Sequence, residues 1–197
     1  MGLYYVIRFF AKIYYALIFR VEVIGKENVP TEGSAVLCSN HISNFDAFTV
    51  AIYLNRLPRF IAKKELFRNR ILAKLLFHLE AFPVDRQAAM DMKAFKTAIK
   101  VLNEGELLGI FAEGTRVKEG VAKAAKAGVA MFALKGNAPV IPIAISGQYK
   151  FRKKVRIQFG EPITLEEYRN TRVTTEVLEE ITNVIMDRVE EMKEKYV

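Results

Sequence analysis

The chain reads as an α/β protein, a mostly parallel central sheet flanked by helices, with an N-terminal helix lying in an interface. Three observations lead there. Short apolar runs at 35–38, 107–111 and 140–146 have the length and composition of buried strands. Segments with helical apolar spacing alternate with them, and this βαβα rhythm builds parallel sheets. Residues 2–19 are too apolar to be a solvated helix and too short and charged to span a bilayer. A length of 197 residues fits one domain with an appendage, so 1–20 is taken as the interfacial helix and 21–197 as the domain.

Taken in order, residues 2–19 place Arg8 and Lys12 on one narrow stripe flanked by tyrosines, a side chain that favours the membrane–water boundary. The expectation is a helix lying flat in a membrane interface, its cations reaching anionic head groups; the alternative is a helix docked on the protein's own core. Residues 21–24 form an edge strand and 30–33 a turn. After the strand at 35–38, Ser43 or Asn44 is the expected N-cap of a helix through 47–53. A short strand at 59–62 precedes an amphipathic helix at 65–79, apolar at Leu66, Phe67, Ile71, Leu72, Leu75, Leu76 and Leu79. The strand at 82–84 contains Pro83, which belongs at a sheet edge or strand end. A helix at 88–103 ends before Gly105. The run at 107–111 is a strand, 123–134 a helix with Gly136 as its C-cap, and 140–146 and 155–159 are strands. In the tail, Val177, Ile181, Val184, Ile185, Val189, Met192 and Tyr196 mark one buried helical face.

Composition narrows the partners. Hydrophobic residues make up 51% of the chain, and the net charge is +8. That charge is unevenly spread: residues 1–160 hold 25 basic and 12 acidic side chains, residues 161–197 hold 5 and 10. A basic body suits phosphate, anionic lipid or an acidic carrier protein. Nucleic acid is not expected, because the cations are not interleaved with exposed aromatics in a known module. The basic run Lys150, Arg152, Lys153, Lys154, Arg156 reads as a solvated or membrane-facing loop. The one cysteine, Cys38, excludes an internal disulfide and a multi-cysteine zinc site, and it reads as a small core residue. His78 lies within an amphipathic pattern and reads as structural.

The most informative stretch is Cys38-Ser39-Asn40-His41-Ile42-Ser43-Asn44-Phe45-Asp46. On a continuous helix, residues five apart diverge by about 140°. Here a strand-to-helix turn intervenes, so the His41 and Asp46 side chains can meet. Asp46 would then fix the imidazole tautomer and stabilise the imidazolium formed when His41 takes a proton. The same spacing also fits a helix cap beside a surface histidine.

Asn40-His41-x-x-x-x-Asp46 resembles the first motif, HX4D, of the glycerolipid acyltransferase family, which includes the lysophosphatidic acid acyltransferases. Phe82-Pro83-Val84-Asp85-Arg86 is similar to its second motif, Phe111-Ala112-Glu113-Gly114-Thr115-Arg116 to its third and Val140-Ile141-Pro142-Ile143 to its fourth, in family order across residues 34–145. Ala112 departs from the family's usual proline. The resemblance implies transfer of an acyl group from acyl-CoA or acyl-carrier protein to the free hydroxyl of lysophosphatidic acid, or alternatively of glycerol 3-phosphate or another lysolipid. The product would be phosphatidic acid, a step of phospholipid biosynthesis. His41 and Asp46 would be catalytic, with no metal and no cofactor beyond the acyl donor. It further implies a peripheral or monotopic protein on the cytoplasmic face of a membrane.

Other residues join by position. Arg86 and Arg116 follow strands, and open α/β sheets build sites at the carboxyl ends of strands. A guanidinium fork matches phosphate oxygens; the alternative for either arginine is a structural salt bridge, with Asp85 the nearest candidate. Gly114 permits close backbone approach beside Thr115, and Glu113 is expected to orient an arginine or an amide. Lys63 and Lys64 open a helix after a strand, so either suits a phosphate, or simply a solvated helix start. A basic membrane-surface binding protein without catalysis is the competing class.

Overall fold

A computed structural model of the chain describes residues 2–85, 87–88, 91–112, 128–168 and 171–195. The helices are α1 (Gly2–Ile18), α2 (Asp46–Tyr53), α3 (Arg70–His78), α4 (Met92–Asn103), α5 (Gly128–Lys135) and α6 (Thr175–Glu194). The strands are β1 (Arg20–Ile24), β2 (Ala35–Ser39), β3 (Arg59–Lys63), β4 (Phe82–Val84), β5 (Leu107–Phe111), β6 (Val140–Gly147) and β7 (Lys154–Phe159). They form a single seven-stranded sheet in the order β1-β7-β6-β2-β5-β3-β4. All neighbours are parallel except β6 and β7, so the expected α/β architecture holds.

β2 sits at the centre because every one of its residues is buried. Ala35 and Leu37 face one layer with Val50 of α2, Leu54 just after it and Leu76 of α3. Val36 and Cys38 face the other, with residues of α4, α5 and α6. Alternate side chains of a strand point to opposite faces, so one strand nucleates both cores. Cys38 is accordingly a core residue. Pro83 lies on β4, the edge strand, where its missing N–H leaves no ladder bond unmade.

Several expectations change in detail. The helix expected at 65–79 is broken: Lys64–Arg68 form a 3-10 turn, and Asn69 starts α3 by accepting from Ile71 N and Leu72 N at 3.0 and 3.1 Å. Ile71 and Leu75 are consequently exposed, not core. The helix expected from 88 begins at Met92, because the Asp91 carboxylate caps it, accepting from Lys93 N and Ala94 N at 3.0 Å each. On α6, Ile181, Ile185, Val189 and Met192 are buried as expected, but Val184 is half exposed because Leu178 and Thr182 complete the buried face. Lys154 and Arg156 do not form a solvated loop: both sit on β7 and pair with Glu22 of β1, at 2.7 and 2.8 Å. Tyr196 and the start of the helix expected at 123–134 lie outside the described residues.

Gly136 illustrates how packing overrides a turn rule. The left-handed residue after α5 is Asn137, with φ 47°, not Gly136. Gly136 is required instead for close approach: a Cβ there would stand 2.3 Å from Leu102 Cδ1 and 2.9 Å from the Phe132 carbonyl oxygen. Leu102 is 2% exposed and has nowhere to retreat. Gly136→Ala is therefore expected to destabilise the fold by about 1–3 kcal/mol through overpacking, read as a lower denaturation midpoint with an unchanged m value.

Candidate active site

β2, β5, β3 and β4 are adjacent and parallel, so their carboxyl ends lie along one edge of the sheet. That edge carries the turn with His41 after β2, Ala112 after β5, Lys63 and Lys64 at the end of β3, and Asp85 after β4. Ligand sites of open α/β sheets form at such an edge.

His41 is held by Asp46. Nδ1 of the imidazole and Oδ2 of the carboxylate are 2.8 Å apart, and the Asp46 side chain is fully buried. A carboxylate only accepts, so Nδ1 carries a proton and donates it to Asp46. Asp46 Oδ2 also accepts from Ile42 N at 2.7 Å and Ser43 N at 2.8 Å. The expected capping by Ser43 or Asn44 is thereby corrected. The N-cap position is Phe45, which has no side-chain oxygen, and it is Asp46 that satisfies the turn's amides from within the helix. Ser43 Oγ accepts from Phe45 N, at 3.3 Å.

The ring plane of His41 is set from the sheet. His41 stacks on Phe111 of β5 with centroids 4.1 Å apart and planes 21° apart, and Phe111 stacks on Phe60 of β3 at 5.5 Å. Phe60 fits because its neighbour across the ladder is Gly109, where a Cβ would stand 2.4 Å from the ring. From below, Asn40 anchors the turn. It is 2% exposed, donates Nδ2–H to the Ile145 carbonyl at 2.9 Å and accepts from Ile145 N at 2.8 Å. Its amide side chain thus imitates one more residue of the β2–β6 ladder while the backbone turns away. The sequence gives Asn40 no role of its own; a polar Ser39-Asn40 pair closing the apolar run 35–38 is the available signal.

The remaining candidates divide. Lys64 Nζ is bound to the Asp85 carboxylate, which its partner and the Gln87 amide hold below the usual carboxylate range. Lys63 is exposed at the strand end. Arg86, Glu113, Gly114, Thr115 and Arg116 lie outside the described residues. Ala112, where the family usually has proline, donates its N–H to the Ser39 carbonyl at 3.3 Å, a bond proline could not make. His78 donates Nδ1–H to the Lys74 carbonyl at 2.7 Å within α3. No group of three or more His, Cys, Asp or Glu side chains suited to a metal occurs among the described residues.

Residues 20–146, which contain every one of these elements up to β6, match the family model described as Acyltransferase. The chain belongs to the acyltransferase family. It is 35% identical over 183 residues to the 1-acyl-sn-glycerol-3-phosphate acyltransferase of Bacillus subtilis (strain 168), covering 89% of each chain. It is 29% identical over 179 residues to the protein of the same name from Borreliella burgdorferi, covering 86% of this chain and 70% of that one. The fold matches the crystal structure of PlsC, the 1-acyl-sn-glycerophosphate (LPA) acyltransferase of Thermotoga maritima, with TM-score 0.70 and 26% identity over 95% of this chain and 78% of that one.

For an acyltransferase, the turn must hold its shape while its chemistry proceeds, and Asn40 is the residue on which that shape hangs. Asn40→Ala would strand two buried backbone groups of Ile145, each worth about 1–3 kcal/mol. The expected outcome is a loss of about 2 kcal/mol or more in chemical denaturation, against a near-neutral effect of Ser43→Ala, whose side chain serves one exposed amide.

Proposed function

We propose that this acyltransferase transfers an acyl group from acyl-CoA or acyl-carrier protein to the free hydroxyl of 1-acyl-glycerol 3-phosphate, forming phosphatidic acid for phospholipid synthesis. The observation that carries the reading is the His41–Asp46 pair, held at the strand edge where the family motifs begin. His41 Nε2 accepts the hydroxyl proton of the lysolipid as its oxygen attacks the thioester carbonyl. Asp46 stabilises the imidazolium that results. The tetrahedral oxyanion collapses, the C–S bond breaks, and the thiolate takes the proton back from His41. No acyl-enzyme is needed, because the acceptor alcohol is itself the nucleophile. Arg86, Arg116 and Lys63 bind the acceptor phosphate in this reading. Lys63 is better placed than Lys64, whose ammonium Asp85 already holds. Glu113, Gly114 and Thr115 complete the third motif with Arg116.

The substrate resides in a bilayer, and α1 supplies the contact. No helix among the described residues is long and apolar enough to cross a membrane. Tyr15 and the following Phe19 are buried and pack with Ile52 of α2, so the helix is docked on the protein. Its cations are on that docked side, contrary to the expectation that they reach outward: Arg8 donates to the Leu54 carbonyl at 2.6 Å, and Lys12 lies 5.8 Å above the Tyr53 ring. What faces outward is Phe9, Phe10, Ile13, Tyr14 and Leu17, each 43–64% exposed. A contiguous apolar face of this kind enters the head-group region readily. On the same side of the sheet, α3 exposes Ile71, Leu75 and Phe77 beside the exposed cations Arg68, Arg70 and Lys74, a pattern suited to anionic lipid.

Two measurements test this reading. His41→Ala should lower thiol release from acyl-CoA or acyl-carrier protein by about 10²–10⁴-fold with an unchanged fold, and Asp46→Asn should also be severe. The acceptor panel should include lysophosphatidic acid, glycerol 3-phosphate and other lysolipids; retained turnover in His41→Ala would overturn the assignment. For the membrane, the triple variant Phe10→Ser, Ile13→Ser, Leu17→Ser leaves the docked face intact. It should stop co-sedimenting with anionic vesicles and lose activity on bilayer-embedded acceptor, while keeping activity on a short-chain soluble one. Equal loss of both activities would place these side chains in the catalytic fold instead.

A further inference from the structure

The described contacts of Asp46 use only one of its oxygens. Oδ2 takes all three hydrogen bonds, while Oδ1 is buried and has no partner of ordinary geometry among the described residues. A buried carboxylate oxygen without a donor is costly, so the groups around it matter. Thr49 stands one turn along α2, fully buried, and its Oγ1 donates to the Phe45 carbonyl at 2.7 Å. That donation spends its only proton, so Thr49 cannot donate to Asp46; it can only accept. It accepts from the Tyr149 hydroxyl at 3.1 Å. Tyr149 comes from the connection between β6 and β7 and is fixed by rings: Phe19 packs edge-on at 5.5 Å and Phe45 at 5.6 Å. The Tyr149 hydroxyl is also near enough to the Asp46 carboxylate for the charge of Asp46 to raise the phenol.

We propose that Tyr149 and Thr49 are positioning residues for the catalytic pair: the single phenolic proton is divided between Thr49 Oγ1 and Asp46 Oδ1, and that division sets the basicity of His41. The physical reason is charge distribution. A donor on Oδ1 draws negative charge away from Oδ2 and weakens the hold of Asp46 on the imidazolium. With the phenol turned to Thr49, the full charge of Asp46 supports protonated His41.

The surrounding groups leave this as the variable element. Among the described residues, the titratable groups that interact with Asp46 are His41 in the turn, Tyr149 from the β6–β7 connection and Tyr15 from α1, whose hydroxyl also interacts with Thr49; Tyr14 and Tyr53 in turn interact with Tyr15. Burial first, and then the Asp46 charge, raises the Tyr149 phenol far above its usual value; burial likewise raises Tyr15. Both therefore remain protonated donors. Arg8 and Lys12 are engaged with Leu54 and Tyr53, at the opposite end of α2 from Asp46. The arrangement also ties α1 to the pair, since Phe19 packs against Tyr15, Phe45 and Tyr149 alike.

This inference rests on the reading of His41 as the base, but its test does not require turnover. The protein has two histidines, so a ring-proton NMR titration of the full chain, with His78→Gln to assign the signals, reads His41 directly. Tyr149→Phe keeps the ring and removes the donor; the His41 midpoint should rise by roughly half a pH unit or more. Thr49→Val is isosteric and removes the competing acceptor, so the phenol turns to Asp46 and the midpoint should fall. The double variant should behave as Tyr149→Phe alone, and Thr49→Ser, which restores the acceptor, as the parent. Unchanged midpoints, or shifts of the same sign in both single variants, would overturn the proposal. Acyl transfer by His41→Ala is measured separately: retained turnover there would refute the general-base reading while leaving the titration result standing.

Discussion

The turn after β2 depends on a buried negative charge. Asp46 has no exposed surface, and an uncompensated carboxylate in such a place would cost several kcal/mol. It is tolerated because Ile42 N, Ser43 N and His41 Nδ1 all converge on Oδ2. That requirement dictates the geometry of the site. The two amides need Asp46 in the first turn of α2, and the imidazole completes the set only if the turn is tight. The constellation that satisfies a buried carboxylate is therefore the one that orients a base.

The sheet supplies what the turn cannot. Asn40 continues the β2–β6 ladder with its side chain, so the chain can leave the sheet without orphaning Ile145. Across the other edge of β2, the run Gly109, Phe60, Phe111, His41 passes the position of the imidazole from strand to strand by stacking. Parallel pairing of β2, β5, β3 and β4 then places the turn, Ala112, Lys63 and Asp85 on one edge. An antiparallel arrangement of the same strands would scatter them to opposite ends. The two antiparallel neighbours, β6 and β7, lie on the far side of β2, where their connection carries Tyr149 back toward α2.

The helix α1 joins these two levels. It is neither a free amphipathic helix nor a core helix, since one face is docked and the other is exposed. Its polar side chains and two aromatics are used against α2, which orients the exposed aromatic and aliphatic face outward. Burying Tyr15 and the adjacent Phe19 beside Tyr149 and Phe45 also places the helix in contact with the groups that surround Asp46.

The sequence by itself determined the layered architecture, because uninterrupted apolar runs and helical periodicity are local signals of burial. It also admitted the pairing of His41 with Asp46, since a turn between residues five apart allows that meeting and a helix does not, but the structure decided for the pair over a helix cap beside a surface histidine. Tertiary structure decided what depends on neighbours distant in the chain. Asn69 and Asp91 moved helix starts by capping, which apolar spacing does not register. Lys64 was taken by Asp85 and Arg156 by Glu22, pairings set by strand order and invisible to spacing. Arg8 and Lys12 turned inward because the last turn of α2 offered a carbonyl and a ring face, so the outward face of α1 was chosen by its docking partner. Thr49 and Tyr149, 100 residues apart, met only because the β6–β7 connection folds over α2; no local pattern marks a hydroxyl as the neighbour of a carboxylate that far along the chain.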